Sequence, residues 1–469
     1  MKVLMVGQHA GVFRDLDLVM RELGRRGHEV VFLHGTRLAD RHVADIAGVT
    51  SGDRPEPSEA WPQRLRVGRQ VINRGIYWRK GHPSPEQAVA GIEYNLPDDV
   101  RAKVHTPLWR RAIGTRAALS VWRWIEAASP ASATVLSLLK GLDPDVMLVS
   151  PTIWPTDPIE ADYLHAAATL GIPTIGCTNS WDDLTRNGTV HVVPDVFLAW
   201  NEPAAQEAVD IHDVPPSTIR ITGIPRLDTF FSLRPRMTPA EVCGRMGRSD
   251  APYVVFLGSP RTIWEDESFM VKAMADALTG AFGASAPLLL VCPHPTNLAP
   301  FNGFAHPGVV IARTGSEQAD SPARLQEYYD QLAHAACVFG LNTPAFLEAV
   351  VANRPCLTMV SDTYWPAQGR TGHFRHLLKG EFLDICRDVR EVAACVRRIL
   401  DGADDRAIGR REFTRWFIRP CGLDVAASEV AASVIETVAR PNTDRAPISA
   451  GALRQGVPGL SLATEGIGR

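Results

Sequence analysis

The sequence predicts an α/β protein with two doubly wound parallel sheets, in the manner of two Rossmann-like domains. Short apolar runs alternate with amphipathic helical stretches along both halves of the chain. Runs that are apolar at every position are typical of parallel strands covered on both faces. A segment rich in Arg, Pro and Gly at 232–252 separates the halves, and a chain of 469 residues is long enough for two domains.

The first half opens with a β-α-β pattern. A strand is predicted at 2–6, a helix at about 15–26 that ends at Gly27-His28, and a second strand at 29–33. Further strands are predicted at 145–149, 173–177 and 196–200, a helix at 159–170, and a strand within 218–228 that ends in a Gly/Pro turn. This alternation predicts a Rossmann-like domain over 1–230.

The second half repeats the alternation. Strands are predicted at 253–257, 288–292, 309–312, 337–340 and 356–360, which gives a second domain over 250–420. A helix over 421–438 follows it. The last residues, 440–469, have too little apolar periodicity to pack, so a disordered tail is predicted.

Composition excludes several classes of function. Lys and Arg total 49 against 52 Asp and Glu, a formal charge of -3, so no overall positive field recruits nucleic acid. The eight cysteines form no closely spaced Cys/His set, which predicts no zinc-type metal site and a reducing compartment. The N-terminus enters a strand directly and no apolar run reaches about 18 residues, so we expect a cytoplasmic protein without a signal peptide or a spanning helix.

Residues 61–124 form a basic, Trp-rich insertion. They hold twelve Lys or Arg, four Asp or Glu, and five of the eleven Trp. One interpretation is a solvated helical insertion with Trp in its core. The other is a surface for an anionic or lipid-linked acceptor at a membrane, with Arg64, Arg66 and Arg69 towards the lipid.

Candidate site residues follow the predicted strands, because ligands of open parallel sheets bind beyond the carboxyl ends of the strands. In a two-sheet protein we expect them in the cleft between the sheets. The first loop, GQHAG at 7–11, lacks the GxGxxG spacing, so NAD binding is not supported. His9 in this loop is either structural or a general base, and Asp15 follows at the helix start.

The segment SWDDLTR at 180–186 packs two carboxylates, a hydroxyl and an Arg behind one strand. A capped turn, in which Asp182 or Asp183 accepts helix N–H groups, is one interpretation. The other is functional, with Asp182 as a base and with Trp181, Asp183 and Arg186 positioning an acceptor.

Two loops of the second half have groups that suit a diphosphate. The first, 258–261, offers backbone N–H groups and the guanidinium of Arg261. The second places His294 between two prolines, where the imidazole can donate to a phosphate oxygen.

The segment FGLNTPAFLEA at 339–349 is the most informative. Asn342 or Thr343 is predicted to cap a helix with Pro344 in its first position, so that the helix N-terminus binds an anion. Glu348, one turn further, is predicted to accept hydrogen bonds from ribose hydroxyls. Helix capping alone explains why Thr343 and Pro344 occur here. It does not explain why an acidic residue, Glu348, occurs on an otherwise apolar helix.

Together these segments resemble GT-B glycosyltransferases, in particular bacterial surface-carbohydrate and CDP-glycerol transferase-like proteins, and more distantly UDP-N-acetylglucosamine 2-epimerases. The resemblance covers about residues 170–435, on the segments 180–189, 194–215, 219–228, 292–297 and 339–359 and the helix after Gly422. The family pattern is SWDNLT, so Asp183 stands here in place of Asn.

The resemblance implies a nucleotide-sugar donor on the second domain, an acceptor on the first, and a last helix that crosses back. Thr343, the helix N-terminus and the neighbouring Asn342 would bind the diphosphate, Glu348 the ribose, and His294 and Arg261 the phosphate oxygens. No metal and no other cofactor is implied, because basic side chains and the helix dipole stabilise the leaving diphosphate. An inverting reaction would use His9, Asp15 or Asp182 as base, whereas a retaining one needs none.

We therefore predict a cytoplasmic, metal-independent glycosyltransferase of polysaccharide biosynthesis that acts on a glycan, a lipid-linked or a small-molecule acceptor, with peripheral membrane contact through 61–124. The alternatives are a transferase of CDP-activated glycerol or polyol phosphate and a non-catalytic nucleotide-binding GT-B module. A 2-epimerase is less favoured, because GQHAGV lacks the Arg and acidic residues associated with that family.

Overall fold

The fold is given by a computed structural model, which describes residues 1–8, 10–35, 46–79, 82, 96–154, 158–247, 251–261, 263–312 and 321–440. The chain divides into two compact units. Unit 1 is Met1–Arg226 together with the chain from Arg419, and unit 2 is Leu227–Ile418. His9 lies outside the described residues, as does the predicted tail from residue 441.

Unit 1 is built on a sheet of seven parallel strands in the order β3-β2-β1-β4-β5-β6-β7. The strands are β1 Lys2–Gly7, β2 Glu29–His34, β3 Val49–Asp53, β4 Val146–Ser150, β5 Thr174–Cys177, β6 Val196–Ala199 and β7 Ile219–Ile221. Successive residues of β1 enter different core clusters, Val3 and Met5 one and Leu4 and Val6 another, and all four are buried. Both faces of the sheet are therefore covered, which explains why its central strands are apolar throughout.

The helices of unit 1 begin with α1 Phe13–Arg25. The helical insertion follows as α2 Ala60–Ile76, α3 Asp98–Val104, α4 Pro107–Ile113 and α5 Arg116–Ala128. The remaining helices before unit 2 are α6 Ala133–Leu142, α7 Glu160–Thr169, α8 Asp183–Arg186 and α9 Glu202–His212.

Unit 2 is built on a sheet of six parallel strands in the order β10-β9-β8-β11-β12-β13. The strands are β8 Tyr253–Leu257, β9 Leu288–Cys292, β10 Val309–Ile311, β11 Cys337–Gly340, β12 Cys356–Met359 and β13 Leu383–Cys386. Its helices are α10 Asp228–Ser232, α11 Pro239–Arg245, α12 Ser268–Phe282, α13 Pro322–His334, α14 Ala345–Val351, α15 Gly372–Lys379, α16 Val389–Leu400 and α17 Ala407–Phe413.

Both sheets reverse their strand order beside the first strand, between β1 and β4 and between β8 and β11. In doubly wound sheets, ligands bind at the carboxyl ends of the strands near such a reversal. The predicted fold class is confirmed. Every predicted strand is present, and all lie within one residue of their expected ends except β7, which occupies only Ile219–Ile221 of the stretch 218–228. The edge strands β3 and β13 were not predicted, because each is short and only partly apolar.

The last helix, α18 Ala427–Val438, packs on α1 of unit 1. Arg26 and His28, at the end of α1, each contact Glu436 of α18 at 2.7 Å. The last helix that the structure describes thus belongs to the first unit. None of the described helices combines the length and the apolar character needed to cross a membrane.

The insertion is helical, but one of its predicted membrane-facing cations is not at the surface. Arg69 is 0% exposed, and its guanidinium lies 2.8 Å from both Glu126 and Asp162. Two carboxylates and a fully buried Arg form a structural ion pair rather than a lipid contact. The prediction that Arg69 faces a membrane is therefore wrong.

Candidate functional site

Asp183 organises the segment that follows β5 in unit 1. Its Oδ2 accepts the backbone N–H groups of Asn179 at 2.8 Å and Ser180 at 3.0 Å, and its Oδ1 accepts the side-chain amide of Asn187 at 2.8 Å. Asp183 is 1% exposed. Burial raises its pKa to about 8, the charge of Asp182 adds to the rise, and the two backbone donors oppose it.

Asp182 lies beside Asp183 in a different environment. Its carboxylate accepts the hydroxyl of Ser180 and lies 3.5 Å from the guanidinium of Arg186. Asp182 and Arg186 remain partly accessible, whereas Trp181 is only 8% exposed. The burial of Trp181 and Asp183 gives these two residues a role in shaping the loop, which differs from the predicted direct contact with an acceptor.

Helix α2 of the insertion supports the same segment. The N–H of Gly188 donates to the hydroxyl of Tyr77 at 3.1 Å, and the N–H of Thr189 donates to Asn73 Oδ1 at 2.9 Å. Gly188 has φ +101°, and a Cβ there would lie 2.4 Å from Asn73. Neither Asn73 nor Tyr77 was predicted, because nothing in the sequence shows which helix residues face a loop a hundred positions away.

Asp15 lies at the same edge of unit 1. It lines a cavity of about 20 Å³ with residues from the ends of β5 and β6, among them Cys177, Thr178 and Trp200. Such a volume holds about one water molecule or one hydroxyl group. Asp15 is close enough to Asp183 for its charge to raise the pKa of that carboxyl further. Asp15, which follows β1, and Asp182 and Asp183, which follow β5, therefore form a group of carboxylates at one edge of the sheet. His9 stays a prediction.

In unit 2, His294 follows β9 in a defined tautomeric state. Its Nδ1 accepts the backbone N–H of Thr296 at 3.1 Å and lies 2.8 Å from the Thr296 hydroxyl. A ring nitrogen that accepts a backbone N–H carries no proton itself, so the neutral imidazole bears its proton on Nε2. Local contacts thus prepare His294 as a hydrogen-bond donor.

The loop after β8 differs from the prediction. The N–H of Ser259 donates to both carboxylate oxygens of Glu267, at 2.9 and 3.2 Å, and burial raises the pKa of Glu267 to about 7. Arg261 extends into solvent and pairs with Glu265 at 2.5 Å. The Ser259 amide is therefore already occupied by a resident carboxylate, and the guanidinium of Arg261 is exposed and paired with Glu265.

Asn342, after β11, joins three segments of unit 2. Its N–H donates to the hydroxyl of Ser259 at 3.4 Å, and its side-chain amide donates to the Ala367 carbonyl at 2.6 Å and to His373 Nε2 at 3.1 Å. Asn342 is buried, so it holds the loop after β8 and the turn before α15 in place.

Thr343 and Glu348 flank the start of α14. Thr343 is buried, and its hydroxyl accepts the N–H of Ala345 at 3.4 Å. The helix begins at Ala345, so Pro344 precedes it instead of occupying its first position as predicted. Burial raises the pKa of the Cys292 thiol at the end of β9, and the charge of Glu348, which is half-buried, raises it further. Glu348 and His294 thus belong to the same edge of the sheet.

No family model matches the chain, and no curated protein is matched by its sequence. Solved structures are similar to it. A putative UDP-N-acetylglucosamine 2-epimerase from Listeria monocytogenes has a TM-score of 0.54 at 11% identity, over 96% of this chain and 99% of that one. A glycotransferase of kitacinnamycin has a TM-score of 0.50 at 13% identity, over 94% of this chain and 99% of that one. The UDP-GlcNAc 2-epimerase of Neisseria meningitidis, bound to UDP-GlcNAc, has a TM-score of 0.50 at 12% identity, over 93% of this chain and 100% of that one. The chain has the GT-B fold.

Proposed function

We propose that the protein is a glycosyltransferase that moves a sugar from a nucleotide-sugar donor to a glycan, lipid-linked or small-molecule acceptor. The observation that carries this proposal is the pair of groups at the carboxyl edge of the unit 2 sheet. His294 presents an N–H donor, which suits a phosphate oxygen. Glu348 presents a half-buried carboxylate, which suits the hydroxyls of a ribose.

The donor class is supported by the similar structures, whose names refer to UDP-N-acetylglucosamine and to glycosyl transfer. In the proposed reaction an acceptor hydroxyl attacks the anomeric carbon while the bond from that carbon to the diphosphate oxygen breaks. The nucleoside diphosphate leaves with the electron pair, and the Nε2–H of His294 stabilises the developing charge. Arg261 would contribute after leaving Glu265. The proposal includes no metal or other cofactor, because the N–H donor of His294 and the guanidinium of Arg261 would stabilise the leaving diphosphate.

The acceptor is proposed to bind unit 1, at the carboxylates after β5. In an inverting reaction Asp15 is the strongest candidate for the base, because it lines a cavity that holds one hydroxyl group. Asp182 is the second candidate, but Ser180 and Arg186 already engage its carboxylate. His9 is the third. We propose the cytoplasm as the location, since nucleotide sugars are supplied there.

A thermal-shift panel of nucleoside diphosphates and nucleotide sugars tests the donor site first. A ligand that binds only the folded state at about 100 times its Kd adds about 2.7 kcal/mol of stability. A selective rise in Tm with one nucleotide supports the proposal. If the folded protein responds to no nucleotide, the donor-site assignment is wrong and a non-catalytic module is favoured.

Product analysis then identifies the reaction. Acceptor-dependent release of a nucleoside diphosphate supports glycosyl transfer. Release of a nucleoside monophosphate supports the transfer of a CDP-activated glycerol or polyol phosphate. A 2-epimerase is the second candidate function, favoured by the similar structures named above, and it would change the sugar of the donor without any acceptor.

A further inference from the structure

Helix α5 of the insertion has apolar residues on its solvent side. Its inner side packs on unit 1 through Leu119, which is buried, and through Trp122, whose ring lies against Gly68 of α2. The opposite side has a stripe at intervals of four, three and four residues, the spacing of one helix face. Every residue of this stripe is exposed, and it consists of Ala117, Val121, Trp124 and Ala128. Val121 is 57% exposed and Trp124 is 70% exposed.

Helix α4, which precedes α5, adds two large apolar side chains to the surface. Leu108 is 77% exposed and Trp109 is 45% exposed. We call Leu108, Trp109, Val121 and Trp124 the outer-face patch. Helices α4 and α5 contact each other, so the four side chains lie on neighbouring helices. Single exposed apolar residues are normal on proteins, whereas larger exposed apolar groups are found at interaction sites.

The chain around the outer-face patch carries more basic than acidic side chains. The stretch 100–125 contains six Lys or Arg and no Asp or Glu. Lys103, Arg111 and Arg116 are exposed. Asp98, Asp99 and Asp213 lie 3.2, 3.5 and 3.3 Å from Arg101, Lys103 and Arg116, so neighbouring carboxylates neutralise part of this positive charge.

Helix α5 is held firmly in place on its inner side. The guanidinium of Arg123 donates to the carbonyls of Val190 at 2.7 Å and His212 at 2.5 Å. Glu126 lies in the buried ion pair with Arg69. The outer-face patch is therefore presented on a helix that is anchored to the unit and does not need to refold to bind.

We propose that the outer-face patch docks unit 1 onto an anionic lipid bilayer. Trp side chains favour the level of the lipid headgroups, where the ring is half in hydrocarbon and half in water. The surrounding Lys and Arg are attracted by anionic headgroups. This proposal goes beyond the proposed function and does not depend on it, and when both hold it favours the lipid-linked class of acceptor.

Sedimentation with vesicles tests the docking without any nucleotide. The full chain is expected to bind vesicles of phosphatidylcholine with about one third phosphatidylserine, and to lose most of that binding on pure phosphatidylcholine or in high salt. The double variant Val121→Gln/Trp124→Gln is expected to bind anionic vesicles at least about tenfold more weakly, because binding scales with the apolar area inserted. Phe269→Gln, an exposed aromatic of α12 in unit 2, is the matched control and should bind like the unchanged protein.

A second pair of variants tests the electrostatic contribution to vesicle binding. Arg111→Glu should weaken binding to anionic vesicles several-fold, whereas Arg411→Glu, the same charge change at an exposed position of α17, should not. Unchanged Tm values show that the variants are folded. The proposal is overturned if the unchanged protein binds no anionic vesicles, if it binds neutral and anionic vesicles equally, or if the patch variants bind as well as their controls. Nucleotide binding, measured separately, keeps this result distinct from a failure of the donor site.

Discussion

Replacing Asp183 by Asn should remove a large part of the pH dependence of stability. In the folded state the Asp183 carboxyl is buried, and its pKa is raised to about 8 from an ordinary value of 3.8. Asn has the same shape: its carbonyl can accept the N–H groups of Asn179 and Ser180, and its amide can face the side chain of Asn187 after that side chain flips. The substitution therefore keeps the hydrogen bonds and deletes only the ionisation.

The expected magnitude follows from the number of bound protons. Between pH 3.8 and about 8 the folded state holds a proton on Asp183 that the unfolded state has released. The free energy of unfolding therefore falls by about 1.4 kcal/mol for each pH unit in this window. From pH 5 to pH 7 the contribution of Asp183 falls by roughly 3 kcal/mol, and above the folded pKa it is constant.

Urea unfolding of the wild type and Asp183→Asn at several pH values measures this effect. Other buried carboxyls, such as that of Glu267, titrate in the same window, so the difference between the two proteins isolates Asp183. The advantage of Asp183→Asn should grow by roughly 3 kcal/mol from pH 5 to pH 7. Asp98→Asn, at an exposed carboxylate, should give a constant difference. A constant difference for Asp183→Asn as well would show that its three N–H donors keep the carboxylate ionised and would refute the reasoning.

Three further substitutions test the remaining contacts. Arg69→Met leaves Glu126 and Asp162 buried without a cation and should lower the free energy of unfolding by about 3–5 kcal/mol in urea, whereas Met at the exposed Arg64 should change it little. Gly188→Ala adds a Cβ 2.4 Å from Asn73 at φ +101° and should cost about 1–3 kcal/mol, against a small effect at Gly244, where a Cβ meets no atom. Glu348→Ala should raise the Kd of the nucleotide at least about tenfold, or about 1.4 kcal/mol, with little change in the Tm of the free protein. A large fall in that Tm would mark Glu348 as structural instead.

The fold was predictable because each central strand is apolar along its whole length. β1 and β8 are buried at every position. Each can therefore be identified as a strand from its own sequence, without reference to the rest of the chain. β3 and β13 lie at sheet edges with partly exposed side chains, and their composition does not distinguish them from loops. Periodicity therefore identified the interior of each sheet but missed one edge strand in each.

The candidate site was predictable only where a residue lies in the loop after a strand or in the first turn of the helix that follows it. His294 and Glu348 are placed at the sheet edge by the chain on either side of them. Ser259 is hydrogen-bonded to Glu267, and Asn342 is hydrogen-bonded to His373. No local sequence pattern predicts either of these contacts. Arg261 shows the converse, because a residue at a strand end can still extend into solvent towards Glu265.

The helical insertion of unit 1 supports the proposed acceptor segment and also carries the outer-face patch. On one side α2 holds the segment after β5 through Asn73 and Tyr77, and it binds α5 through the ion pair of Arg69 with Glu126. On the other side α5 presents the outer-face patch. A membrane bound to that patch would therefore be joined to the acceptor segment by one packed pair of helices, without a flexible linker. This arrangement suits a lipid-linked acceptor. The docked bilayer would hold the headgroup of the acceptor lipid at a fixed distance from unit 1.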